Sequence, residues 1–260
     1  MLFVLKITLA PLLVGGMSLA ARRWGPTVGG LLMGLPWMTG PVLFFLALDK
    51  GDAFAVAACT GIELGVICIC AFMLAYGAVS TFARWPLSIV AAIAAFAGSA
   101  WAAQGIVLPL WGAAMVGAAS LAVTAVLLPQ PKTVVALSAP PWWDIPVRML
   151  ATLLLVSAII LCADLLGPRL SGIISTYPAI LTVIGTFTHQ QWGRDAVRLV
   201  LRGLALSLFA FVVFFLVLGK TLPALGLAGS FVAAMLAALV ISATLMAQSR
   251  RAARAALDAG

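Results

Sequence analysis

Apolar residues run in stretches of about 18–25 along the whole chain, separated by short clusters of charged residues, Gly/Pro pairs or amides. Each stretch is long enough, at about 1.5 Å per helical residue, to cross a bilayer core of roughly 30 Å. Taking the polar clusters as ends, the pattern predicts nine membrane-spanning helices, over residues 2–20, 28–47, 53–76, 86–103, 105–128, 146–163, 171–188, 197–219 and 226–247. The expected fold class is all-α, a polytopic membrane protein, with no room between spans for a soluble domain.

Composition sharpens this expectation. With 64% hydrophobic and 8% charged residues, the chain has too little polar surface to cover a soluble globule. The net charge of +8 would suit nucleic acid if it lay on one amphipathic face, but the basic residues sit between apolar runs. Membrane topology explains them better. Assigning them to alternate ends of the nine spans puts Arg22, Arg23, Arg84, Lys132, Arg148, Arg194, Arg198, Arg202, Arg250, Arg251 and Arg254 on one side. Lys6, Lys50, Arg169 and Lys220 fall on the other. By the positive-inside rule the first set is cytoplasmic, with the N-terminus outside and the C-terminus inside a bacterial inner membrane. Trp24, Tyr76, Trp85, Trp142, Trp143 and Trp192 fall near the same ends, as interfacial anchors do. Lys6 alone precedes the first apolar run while Arg22 and Arg23 follow it, the charge order of a retained helix rather than a cleaved leader. Cys59, Cys68, Cys70 and Cys162 all lie in apolar runs, and Cys68 and Cys70 would face different ways on a helix. Buried free thiols are expected, with no metal site and no cofactor.

One fixed offset, 142 residues, aligns unusual positions without a gap. Gly25-Pro26 falls on Gly167-Pro168, Gly30 on Gly172, Pro36 on Pro178, Phe45 on Phe187, Gly51 on Gly193 and Gly61 on Gly203. Leu and Ala matches are cheap in a membrane protein, whereas coincident prolines and a Gly-Pro pair are not. The expected organisation is a four-helix repeat over 1–104, a linking helix and loop over 105–142, a second four-helix repeat over 143–249, and a basic tail over 250–260. The odd linking helix turns the second repeat upside down. Inverted repeats are the construction many secondary transporters use to exchange outward-open and inward-open states. A static scaffold, formed by fusion of an antiparallel dimer, is the plainer alternative.

The run Gly167-Pro168-Arg169, Gly172, Pro178 and Gly193-Arg194-Asp195-Ala196 resembles the core of the small GlpM-type bacterial membrane proteins, which look like a single four-helix unit. The resemblance covers about one repeat at a time. It implies a link to glycerol metabolism or envelope polysaccharide but no particular reaction. The first repeat departs from it at Lys50-Gly51-Asp52-Ala53, which lacks the arginine.

Candidate chemistry clusters at mid-depth. Pro36 and Pro178 lie about eleven residues into their helices, roughly 16 Å, near the bilayer midplane. A proline frees polar backbone that membranes tolerate only where protein or a water-filled cavity surrounds it. Trp37 and Thr39 follow the first proline, and Thr176, Tyr177 and Thr182 flank the second in the most hydroxyl-rich span. Kinks for packing are the competing account. Glu63 is the one acidic residue deep within a span, and Arg202 reaches a similar depth from the other side, so the two are expected to pair, as a proton-gated or a fixed ion pair. Arg194, Arg198 and Arg202 form a basic stripe suited to an anionic solute or lipid headgroups. His189 is expected at a helix end open to solvent. No His-Glu-x-x-His, Gly-x-Ser-x-Gly or nucleotide-binding loop is present, so an enzyme is not expected. The expected function is a secondary carrier of a small solute, with Glu63 protonation as its coupling step. The alternative is a non-transporting membrane factor that binds lipid or a partner protein in envelope biosynthesis. Small-residue helix faces suit a homodimer as well as packing within one chain.

Overall fold

The computed structural model describes the backbone of residues 2–133, 141–174 and 176–258, and the side chains of 8–133, 141–159 and 176–245. Eight helices and no strand are found among the described residues: α1 (Leu2–Trp24), α2 (Pro26–Met33), α3 (Thr39–Lys50), α4 (Asp52–Val79), α5 (Trp85–Ala103), α6 (Leu110–Leu127), α7 (Asp144–Ile174) and α8 (Ala179–Asp258). The all-helical class is as the apolar pattern predicts. Among the described residues four helical runs are long and apolar enough to cross a membrane: α4, α5, α6 and the stretch Ala179–Leu245 of α8. The side chains of Lys6, Cys162, Arg169, Ser171, Ser175, Arg250, Arg251 and Arg254 lie outside the described residues.

The element ends follow local chemistry. Gly51 takes φ 84° between α3 and α4, a conformation open to glycine at little cost, and Asp52 then sits in the first turn of α4, where a negative charge suits the helix dipole. Gly193 takes φ 82° inside α8 and Gly226 takes φ 65°, so α8 is three helical lengths joined at two non-helical glycines. Pro36 falls between α2 and α3, so the span expected over 28–47 with a disturbance at that proline is divided into two helices there. The reason is visible in the backbone. Proline has no N–H to give the carbonyl one turn earlier, that of Leu32, which accepts instead from the Leu35 N–H at 3.4 Å and from Trp37 Nε1 at 3.0 Å. α7 continues through Gly167-Pro168 to Ile174, whereas the corresponding Gly25 takes φ 93° and ends α1.

α4 is the central helix. It packs against α5, α6 and α8, burying Cys59, Val66, Cys68, Phe72, Met73 and Tyr76. Cys59, Cys68 and Cys70 are free and buried, as expected. α2 lies against α8, and α1 against α7. The α2–α8 crossing is made by glycine. A methyl group on Gly30 would collide with the backbone of Val200 and Leu204, and one on Gly203 with that of Thr27 and Leu31. Only residues without Cβ allow two backbones to pass so closely.

Candidate functional site

The two proline breaks come together. Met38, the residue that caps α3, and Tyr177, just before α8, both pack on a small cluster of Ala10, Val156 and Ala179. Pro36 is buried and borders an apolar hollow of about 250 Å³ with Gly40, Phe44, Phe214 and Phe231. Trp37 is 43% exposed but its N–H is committed to Leu32, and Thr39 opens α3 half-buried. At the second break the Thr182 hydroxyl lies 2.9 Å from Tyr177 Oη and 3.1 Å from the Pro178 carbonyl. The Tyr177 ring meets Phe72 of α4 and Phe96 of α5 edge-on. The first break is thus apolar and the second carries hydroxyls.

Contacts around the breaks are reciprocal. A Cβ on Gly34 would fall 2.6 Å from Ser207 Cβ, and a Cβ on Gly65 would fall 2.7 Å from Thr176 Cγ2. Thr176 is 142 residues after Gly34, and Ser207 is 142 after Gly65. The two contacts therefore join the same pair of positions in the 142-residue offset with the roles exchanged. The Ser207 hydroxyl further lies 3.3 Å from the carbonyl of Gly30.

Glu63 does not pair with Arg202. Glu63 is fully buried, and neither carboxylate oxygen has a hydrogen-bond partner among the described residues. Its carboxylate lies over Gly117 of α6. Arg202 instead donates to the carbonyl of Leu128, at 3.0 Å, just past the end of that helix. Gly117 and Leu128 are eleven residues apart, about 16 Å along a helix. The expectation of equal depth failed because Glu63 stands sixteen residues, about 24 Å, before the end of α4 at Val79, well short of the arginine end. Glu63 also points away from the breaks. Gly65 faces Thr176, and positions two apart on a helix lie about 200° apart.

Polar groups concentrate where α1, α7 and α8 meet. Asp144 is fully buried and accepts from Arg22 Nη2, from Arg148 Nε at 2.8 Å and from Gln191 Nε2. Arg148 also donates to Gln191 Oε1 at 3.0 Å and lies over the Phe187 ring. Burial alone would raise the Asp144 pKa, but Arg148 and the hydrogen bonds from Arg148, Arg22 and Gln191 outweigh it and hold the carboxyl below its ordinary value. This network was missed, although Asp144 and Arg148 at i and i+4 are an ion-pair signal legible in the sequence. His189 is buried rather than open to solvent, with Nδ1 3.3 Å from Tyr76 Oη. Burial, with Arg194 and Arg198 nearby, pushes its pKa down, which favours the neutral ring.

The basic stripe caps helix ends. Arg194 donates to Thr81 O at 2.8 Å, after α4, and Arg198 to Asp195 Oδ1 at 2.8 Å. Asp195 also accepts from the Thr133 hydroxyl and backbone. The Thr133 hydroxyl is the main cause holding the Asp195 carboxyl below its usual range. No family model, no curated protein and no solved structure matches this chain.

Proposed function

We propose that this chain is a secondary carrier of a small solute, built as two inverted four-helix repeats around a linking helix and working by alternating access near the Pro36 and Pro178 breaks. The observation that carries the reading is the reciprocal contact of Gly34 with Ser207 and of Thr176 with Gly65. Two halves related in this way can exchange environments at similar energy, which is what alternating access requires. The matching glycine turns support it further: Gly51 and Gly193 adopt nearly the same backbone angles at equivalent positions. On this reading the chain crosses a bacterial inner membrane nine times, with its N-terminus outside. The break hydroxyls of Tyr177 and Thr182 face the solute, and buried, unpartnered Glu63 carries a proton in its own right.

The test needs no knowledge of the solute. In sealed vesicles, a single cysteine replacing Thr39 reacts with membrane-impermeant thiol reagents from either side if access alternates. Reaction from neither side, or from one side only, refutes alternating access and favours the non-transporting membrane factor. Once a solute is found, unchanged proton-coupled uptake in Glu63→Gln would remove Glu63 from the coupling step.

A further inference from the structure

We propose that an open cavity of about 900 Å³, bordered by the turn after α4, the segment after α6 and the Gly193 break of α8, binds a phosphate-bearing anion. Lys132, Arg194 and Arg198 line it, against a single carboxylate among the described residues, Asp195. That carboxylate is already engaged by Thr133 and by Arg198, so the cavity keeps an excess of positive charge.

A helix start adds to these side chains: helix resumes after Gly193, and Gly193, Arg194 and Asp195 lie on the cavity wall. The first backbone N–H groups of a helix have no partner within it and favour anions. One cavity is thus lined by a Lys ammonium, a helix start and two guanidinium groups, of which Arg194 also donates to Thr81 O and Arg198 to Asp195. A tetrahedral phosphate, with three or four oxygens, meets them better than a planar carboxylate with two. Trp192 on the same wall offers an apolar, interfacial surface for whatever the phosphate is attached to.

Two sources carry this chemistry, the headgroup of an anionic phospholipid and a phosphate dissolved in water. The site stands independently of the transport reading. The full chain in phosphatidylcholine nanodiscs is titrated with inorganic phosphate, and the Trp192 signal is read as the fluorescence difference from the Trp192→Phe variant. In a second arm phosphatidylglycerol replaces part of the phosphatidylcholine, and retained lipid is identified by native mass spectrometry. Response to phosphate assigns a soluble ligand, retention of phosphatidylglycerol over phosphatidylcholine assigns a headgroup, and both together assign the shared phosphate chemistry. In each case binding weakens about tenfold or more in Lys132→Gln/Arg194→Gln, the equivalent of at least one charge-assisted hydrogen bond. Both side chains are exposed, so this variant folds even where Arg198→Gln does not. Neither response, or equal binding by the double variant, overturns the proposal.

Discussion

Gly30→Ala tests the closest approach of a glycine to another helix's backbone among the described residues. The added methyl would lie far inside contact distance of the Val200 carbonyl oxygen and 2.9 Å from the Leu204 nitrogen. Both obstacles are backbone, so no side-chain rotation makes room and α2 must move away from α8. Overpacking of this kind costs about 1–3 kcal/mol, and the upper end applies because the shift opens the crossing along several residues. A loss of about 3 kcal/mol lowers the melting temperature of a chain this size by roughly 6–12 °C. The assay is thermal unfolding of the purified protein in one detergent, with Gly16→Ala and Gly61→Ala as controls. Nothing lies within 4 Å of a Cβ at either control position, so those variants should gain up to about 1 kcal/mol from the lower entropy of the unfolded chain. If Gly30→Ala melts with the controls, α2 and α8 do not cross as described.

Three further outcomes follow from buried groups. Asp144→Asn leaves Arg148 and Arg22 without their counter-charge and should cost about 3–5 kcal/mol at neutral pH. The folded Asp144 pKa lies below its ordinary 3.8, so its contribution is complete above that value and is lost as pH falls through the lower one. Melting curves down to acidic pH should show that loss in the native chain and not in Asp144→Asn. Glu63→Leu should fold with stability within about 1 kcal/mol of the native chain or better, because no hydrogen bond is broken. A drop of several kcal/mol in denaturant titration would reveal a partner for Glu63. Cys59, Cys68 and Cys70 should resist a water-soluble maleimide until the chain unfolds, and rapid labelling of the native protein would contradict their burial.

The sequence announced those features that a single residue enforces. Pro36 and Pro178 mark breaks because each removes a backbone donor, and Gly51 and Gly193 mark turns because each takes a positive φ. Partnerships between distant side chains were less legible. Depth along a helix says nothing of the direction a residue faces, which is how Glu63 was matched to Arg202 although one lies over Gly117 and the other caps Leu128. Trp37 looked like a lining residue, but its indole is one of two donors that replace the one Pro36 lacks. Arg22 and Gln191 join Asp144 across 122 and 47 residues, a separation no local pattern spans.

The inverted relation of the halves is tested most directly at Asp52 and Arg194, which are exposed, follow the two glycine turns and stand 142 residues apart. Each is replaced singly by cysteine in a chain whose four native cysteines are alanine, and intact cells are treated with a membrane-impermeant thiol reagent. The account predicts labelling at position 52 and none at 194 until the membrane is opened. Equal labelling of both from outside would make the halves parallel and contradict it.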